Sequence, residues 1–140
     1  MAGIMKNKKT RYHGTTIVEA AIIFPLLLLI TLGIIEYSWL FLKAQQVTNA
    51  TRQGARVAIR TDATNAEVLD AIDWMMTTAG MAASGYTVGL DPPDVSSRLR
   101  GETLDVQITV PCASIALIDV PFLPTPTSLR AVVTMAKEGP

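Results

Sequence analysis

The side chains that carry most enzyme chemistry are scarce in this sequence. Its only histidine is His13 and its only cysteine is Cys112. A Ser-His-Asp or Cys-His arrangement needs a histidine at the site, and zinc sites need several histidines or cysteines. The sequence also lacks a Gly-rich phosphate loop of the Walker type. We therefore predict no catalytic residue, no cofactor, no metal site and no small-molecule substrate: the protein is not expected to be an enzyme.

Two carboxylates stand out because they lie in a long apolar segment, TTIVEAAIIFPLLLLITLGIIEYSWLFL, which follows Gly14. In a helix that begins at Thr15, Glu19 lies about 6 Å along the axis and Glu36 about 32 Å along it. Glu36 can reach the membrane–water interface there, and a partner contact is the alternative. Glu19 lies just inside the boundary. Because intramembrane carboxylates usually have a function, Glu19 is the stronger candidate.

The apolar segment is long enough to position these residues in a membrane. Its run of about 23 residues from Ala20 to Leu42 exceeds the roughly 20 that a spanning helix needs. It is too long for a secretory signal, and no A-x-A cleavage site follows it. We predict a transmembrane helix over residues 15–43, after a basic leader over residues 1–14. The leader carries Lys6, Lys8, Lys9 and Arg11 and no acidic residue. This charge favours a cytoplasmic N-terminus.

Residues 44–140 are predicted to form one α+β domain outside the cytoplasm. The first helix should continue to about residue 60, because no proline interrupts it, which gives a length of about 69 Å. Half of it would lie in lipid and half would pack on a small sheet. Its predicted packing face holds Val47, Ala50, Gly54 and Val57. A basic stripe of Arg52, Arg56 and Arg60 is either solvated or in contact with lipid or acidic groups of a partner.

A second helix and three antiparallel strands complete the predicted domain. Thr64 and Glu67 form a capping-box pattern, so the helix should start at Asn65 and stop near Gly80. Its predicted apolar face is Val68, Leu69, Ile72, Met75, Met76 and Ala79, with Trp74 in core or interface packing and Asp70 and Asp73 on the polar side. Alternating residues predict strands near Tyr86–Leu90, Leu104–Val110 and Leu129–Met135.

The connection between the last two predicted strands is rich in proline, which disfavours a helix or a central strand. Its apolar residues could equally cap the core or contact partners. They are Ile115, Leu117, Ile118, Val120, Phe122 and Leu123. The balanced charge of 12 basic and 12 acidic side chains gives no electrostatic case for nucleic acid. Cys112 is expected to be a buried apolar residue, with intermolecular pairing as the minor alternative.

The N-terminal third resembles a type IV prepilin. A basic leader ends at Gly14, Glu19 follows five residues later, and a spanning helix begins at once. In that family a membrane peptidase cuts after the glycine, which implies Thr15 as the mature N-terminus. More closely, the first 60 or so residues resemble the TadE-like proteins, minor pseudopilins of Tad (Flp) tight-adherence pilus systems. The matching features are Phe24-Pro25-Leu26, Gly33, Glu36-Tyr37, Thr48-Asn49-Ala50 and Arg52-x-Gly54-Ala55-Arg56.

The resemblance implies a structural or assembly component of a Tad-type pilus, anchored in the bacterial inner membrane. Its expected partners are the prepilin peptidase, other pilin-like subunits and the pilus machinery. In type IV pilins the first glutamate is thought to meet the N-terminal amine of a neighbouring subunit, and this assembly role is carried to Glu19. Glu36, Arg52 and Arg56 are the further candidate partner contacts. The alternative is an uncleaved, membrane-tethered envelope module for binding or scaffolding; a membrane-anchored enzyme is a weaker third reading.

Overall fold

The computed structural model describes residues 13–118 and 124–138, with side chains from Thr16 onward. Its helices are α1, His13–Ala58, and α2, Asn65–Thr78. Its strands are β1, Thr87–Asp91, β2, Thr103–Pro111, and β3, Ser128–Ala136. The predicted architecture of a long N-terminal apolar helix, a second short helix and a three-stranded antiparallel sheet is confirmed. The chain divides into two compact units, one ending at Ile35 and the other beginning at Glu36.

The N-terminal unit is the first part of α1, which continues through Pro25. Among the described residues, one helical stretch, Thr16–Ala58, is long and apolar enough to cross a membrane. Its most apolar window has a mean hydropathy of 2.5, and none of that window is buried inside the protein. So large an exposed apolar surface is unfavourable in water and is stable in lipid. These properties suggest a membrane anchor.

The C-terminal unit is built on a sheet with the order β1-β2-β3 and antiparallel pairing throughout. Central β2 pairs with both neighbours, so that Val106 lies opposite Leu90 on one side and Val133 on the other. The alternation along β2 sends one set of side chains to the core, and all of that set is buried: Leu104, Val106, Ile108 and Val110. The observed strand β2 is one residue longer at each end than the predicted strand, Leu104–Val110.

The second half of α1 packs into this core together with α2. Val47, Ala50 and Gly54 are buried as the helical spacing predicts, and Val57 is partly buried against the core. Gly54 permits a close approach: a Cβ atom there would lie 2.6 Å from the Cγ1 and Cδ1 atoms of Ile72 on α2. The absence of a side chain at this position lets the two helices meet.

Helix α2 starts as its sequence predicts but buries a narrower face. The Thr64 hydroxyl accepts from the Glu67 amide while the Glu67 carboxylate accepts from the Thr64 amide, which completes the capping box. Val68, Ile72 and Met76 are buried, at steps of four residues. Leu69 is 44% exposed and Trp74 is 67% exposed. Trp74 is therefore outside the core, because one stripe of α2 suffices to cover α1. Interface packing by Trp74 stays a prediction.

Candidate functional site

The buried face of α1 begins at Glu36, before Val47, the first residue of the predicted packing face. Glu36, Leu40, Lys43 and Val47 follow at steps of four, three and four residues, so they share one face of the helix. Glu36 is fully buried and Lys43 is 8% exposed. The compact C-terminal unit therefore starts eight residues before the sequence-predicted domain start at residue 44. The ends of the spanning segment itself stay a prediction.

The Glu36 carboxylate binds the backbone of the loop that follows β2. One carboxylate oxygen accepts a hydrogen bond from the Leu117 amide at 3.2 Å, and the other accepts from the Ile118 amide at 2.7 Å. A buried carboxylate is costly unless it is hydrogen-bonded, and bonds to a charged acceptor are stronger than neutral ones. Glu36 therefore fixes the loop on the helix. The sequence analysis offered an interfacial position or a partner contact for Glu36 and did not predict these two hydrogen bonds.

Two aromatic residues flank Glu36 and bind the same loop. The Tyr37 hydroxyl donates to the Pro124 carbonyl, and the Trp39 indole N–H donates to the Ile115 carbonyl at 2.8 Å. At about 100° per residue, Tyr37 and Trp39 lie on opposite sides of the Glu36 face. The loop therefore crosses this face of α1 and is held at three helix positions. We call this arrangement the helix–loop junction: Glu36, Tyr37 and Trp39 with loop residues 112–118 and 124–127.

Two buried lysines stabilise the C-terminal ends of the helices. The Lys43 ammonium donates to the Ala79 carbonyl, at the C-cap of α2, at 2.9 Å and lies 4.8 Å from the centre of the Trp39 ring. The Lys137 ammonium donates to the Ala58 carbonyl, at the end of α1, at 3.1 Å and to the Val95 carbonyl at 3.2 Å. A cation is favourable where a helix leaves its last carbonyls unpaired.

The predicted processing and assembly residues lie in the N-terminal unit. Gly14 and Thr15 are helical in backbone, and the Thr15 side chain lies outside the described part, as does the leader up to residue 12. Glu19 is exposed on the surface of α1. It lines a shallow groove together with Thr16, Ala20, Ile23, Phe24 and Leu27. The structure holds one copy of the chain, so their processing and assembly roles stay predictions.

The predicted partner contacts are separated in the structure. Arg52 and Arg56 are exposed on the side of α1 that faces away from the sheet, whereas Glu36 is buried at the helix–loop junction. The structure does not bring these residues together as one surface. A partner role for the arginines is compatible with their exposure and stays a prediction. The Glu36 carboxylate is already used inside the chain.

The single cysteine is buried beside the loop. Cys112 is 3% exposed, and burial raises the pKa of its thiol. Its amide donates to the Thr127 carbonyl at 3.0 Å, which closes the base of the proline-rich loop. Within residues 13–118 and 124–138, no group of three or more His, Cys, Asp or Glu side chains could hold a metal ion.

Sequence reasoning missed the structural use of Glu36, Lys43 and Lys137. Lys43 lies seven residues after Glu36, a spacing that continues the buried stripe of α1. This seven-residue spacing could have indicated that Glu36 and Lys43 are buried. It was missed because the buried face was predicted from apolar residues alone. Lys137 had no such signal, because its acceptors on Ala58 and Val95 are distant in sequence.

Comparison with known families gives one match, over the N-terminal third. Residues 14–56 match the family described as TadE-like protein, which confirms the resemblance inferred from the sequence. The matched segment starts at Gly14, includes Glu19 and Glu36, and ends at Arg56. No curated protein and no solved structure matches the chain. The family match suggests a component associated with the Tad pilus and with the membrane.

Proposed function

We propose that this TadE-like chain is a minor pseudopilin, a structural or assembly component of a Tad-type (Flp) pilus. The observation that carries the proposal is the start of the family match at Gly14, in the first turn of a helix whose most apolar window is not buried inside the protein. A pseudopilin needs a peptidase site beside a spanning helix, and the proposed cleavage site at Gly14 lies just before the candidate membrane span.

In this proposal the prepilin peptidase cleaves after Gly14, and Thr15 becomes the new N-terminus. The mature protein then stays in the bacterial inner membrane through α1, with the C-terminal domain on the periplasmic side. The basic residues of the leader favour retention of the N-terminus in the cytoplasm. Removal of the leader also removes His13, and with it the only histidine of the chain.

Glu19 is proposed to pair with the new α-amine of a neighbouring subunit. The amine of Thr15 would be cationic at neutral pH, since α-amino groups have pKa values near 8. Glu19 is exposed on the apolar part of α1, and in surroundings of lipid or other helices an unpaired carboxylate costs free energy. A pair across subunits removes part of this cost and sets the register of adjacent helices.

The decisive experiment is to determine the intact mass and N-terminal sequence of the protein from native membranes, with and without the prepilin peptidase. The proposal expects a chain that begins at Thr15 only when the peptidase is present. A Gly14→Val variant should remain uncleaved in both strains. A wild-type chain that keeps residues 1–14 in both strains would instead indicate an uncleaved membrane-tethered module.

Cleavage and assembly can be separated with a second variant. Glu19→Ala should still be cleaved, because the scissile bond is intact, but it should fail to join pilin-like subunits in cross-linking and pilus assays. Glu19→Gln keeps the shape and removes the charge, so it should fail in the same way. If both variants assembled normally, the proposed pairing of Glu19 would be wrong while the processing site could still stand.

A further inference from the structure

The outer side of α2 carries an exposed tryptophan among acidic side chains. Trp74 is 67% exposed, and α2 contains three acidic residues, Glu67, Asp70 and Asp73, and no basic one. Tryptophan is enriched at the centres of protein interfaces, where its large apolar ring is removed from water. Asp70 and Trp74 lie one helical turn apart, and we call this pair the Trp74 face. A carboxylate and an indole ring both attract cations, so this face suits a partner that presents them.

The outer side of α1 carries the complementary charge. Arg52 and Arg56 are both exposed and also lie one helical turn apart; we call this pair the arginine face. In the part of the chain that the structure describes, none of Arg52, Arg56 and Asp70 forms an ion pair. The two faces therefore have opposite charge, and neither is neutralised by an ion pair within the described domain.

The two faces lie on opposite sides of the helix pair. Helices α1 and α2 meet where Gly54 contacts Ile72, which we call the crossing contact. At 100° per residue, Asp70 and Trp74 each lie about 160° around α2 from Ile72. The arginine face lies about 160° around α1 from Gly54 in the same way. Because the two faces point away from each other, they cannot meet within one chain, but two neighbouring copies can bring them together.

The two faces also match in height along the helices. The Lys43 ammonium, on α1 before the crossing contact, bonds to the carbonyl at the end of α2, so the helices are antiparallel. Counted by two residues from the crossing contact along each helix, Arg56 is at the height of Asp70. Counted two residues the other way, Arg52 is at the height of Trp74. Copies that stand side by side in one orientation, as chains anchored in one membrane do, therefore present matching groups at equal heights.

We propose that the Trp74 face binds the arginine face of a second copy of this chain. In this contact the Arg56 guanidinium pairs with the Asp70 carboxylate, and Arg52 stacks on the Trp74 ring as a cation–π contact. Because the two surfaces differ, each added copy leaves one free face at either end, and the association extends into a row of copies. The contact goes beyond the proposed function and needs no cleavage after Gly14, so the two can fail or succeed separately.

The test measures disulfide formation between two differently tagged copies of the uncleaved full-length chain in vesicles of phosphatidylethanolamine and phosphatidylglycerol. Cys112→Ala removes the native thiol from both copies. The first copy carries Asn49→Cys, beside the arginine face, and the second carries Thr77→Cys, beside the Trp74 face. Both positions are exposed and are at equal height by the same count. The matched control for the second copy is Thr134→Cys, an exposed threonine on β3.

We expect the first copy to form a disulfide with Thr77→Cys at least about tenfold faster than with Thr134→Cys, because the reaction within a complex is intramolecular. Equal rates with the two partners would overturn the proposal.

Exchange of charges tests the contact itself. Arg56→Glu in the first copy, or Asp70→Arg in the second, should slow the disulfide reaction at least about tenfold, because like charges then face each other. When the first copy carries Arg56→Glu and the second carries Asp70→Arg, opposite charges face each other again and the rate should recover. Recovery between two separate chains cannot arise from a contact within one chain. Single variants that react at the wild-type rate, or a pair that does not recover, would refute the contact.

The contribution of the indole ring is tested separately. Trp74→Ala in the second copy should also slow the reaction at least about tenfold, as truncation of a central interface tryptophan does. Leu99→Ala removes an apolar side chain of similar exposure, 72%, outside α2 and should leave the rate unchanged. Equal rates in these two variants would exclude Trp74 from the contact. Circular dichroism of each variant establishes that the compared proteins are folded.

Discussion

Replacing Glu36 with alanine should free the loop from α1. The substitution leaves the amides of Leu117 and Ile118 without their acceptor in a partly buried setting. A hydrogen bond to a charged group contributes about 1.5–3 kcal/mol, and an unsatisfied buried donor costs about 1–3 kcal/mol. Part of this loss is offset because a buried charge is also removed. We expect the free energy of local opening to fall by at least about 2 kcal/mol, which corresponds to an opening constant about 30-fold larger.

Hydrogen exchange of the full-length protein in micelles measures this opening directly. Amides that exchange through local opening report its equilibrium constant, so the amides of Leu117 and Ile118 should exchange about 30-fold faster in Glu36→Ala than in wild type. Glu36→Gln keeps one acceptor oxygen and the shape of the side chain, so an intermediate effect is expected. Amides of the central strand β2 should change less, because the loop contributes only Cys112 and Ile115 to the core cluster.

Glu102 provides the matched control for this experiment. Its carboxylate also accepts from a backbone amide, that of Leu99 at 2.9 Å, but its side chain is 47% exposed. Water can replace an exposed acceptor, so Glu102→Ala should change the exchange of the Leu99 amide by no more than about threefold. If Glu36→Ala also changed exchange by threefold or less, burial would not be what makes the Glu36 contacts strong. The assignment of Glu36 as the anchor of the loop would then be wrong.

Three further predictions concern the domain. Lys137→Met should lower the free energy of unfolding by about 2–4 kcal/mol in chemical denaturation, because two buried carbonyls lose a charged donor. Gly54→Ala should lower the free energy of unfolding by about 1 kcal/mol. Overpacking against Ile72 costs about 1–3 kcal/mol, and the higher helix propensity of alanine offsets up to about 1 kcal/mol of this cost. Burial, and next the hydrogen bond to Asp73, raises the pKa of Tyr86 from 10.0 to about 12. The neutral phenol is thus favoured in the folded state, and its contribution to stability is present below pH 10 and lost as the pH rises towards 12.

Each of these predictions has its own control. Arg130→Met removes an exposed cation on β3 and should change the free energy of unfolding by less than about 0.5 kcal/mol. If Lys137→Met also lowered the free energy of unfolding by no more than about 0.5 kcal/mol, the helix-capping role of Lys137 would be contradicted. In an Ile72→Ala background Gly54→Ala should no longer destabilise, and an unchanged cost would exclude the proposed clash. The pKa of Tyr86 is measured from the phenolate absorbance of the wild type as a function of pH, after subtraction of the absorbance of Tyr86→Phe. Asp73→Asn should move it back towards 10, and a normal pKa in the wild type would refute the contact.

Local patterns predicted the regular elements of the fold. The alternation from Leu104 to Val110 predicted β2, and the pair Thr64 and Glu67 predicted the start of α2, because both features arise between residues close in sequence. The length and hydropathy of the first helix needed no tertiary information either. The resemblance to the TadE-like family depended on the same segment, and the family match over residues 14–56 confirmed it.

The roles of the buried charges depended on contacts between distant parts of the chain. From the sequence, Glu36 was expected near the membrane–water interface, because it lies about 32 Å along the helix, or in contact with a partner. Its actual hydrogen-bond donors are about 80 residues away, at 117 and 118. In the same way, Leu69 was predicted on the apolar face of α2 and Trp74 in core or interface packing, and only the packing of α2 shows that the buried face is narrower and leaves both side chains exposed.

The sequence by itself therefore determined a long apolar helix with an ionisable residue near its start, a second capped helix and three alternating strands. These are consequences of local periodicity and of the free energy of transferring side chains between water and an apolar phase. The tertiary structure decided which charges are buried, where the compact unit begins and which face of α1 carries the loop. Those properties depend on whether a distant backbone group arrives to satisfy a buried charge, and no local pattern records that partner.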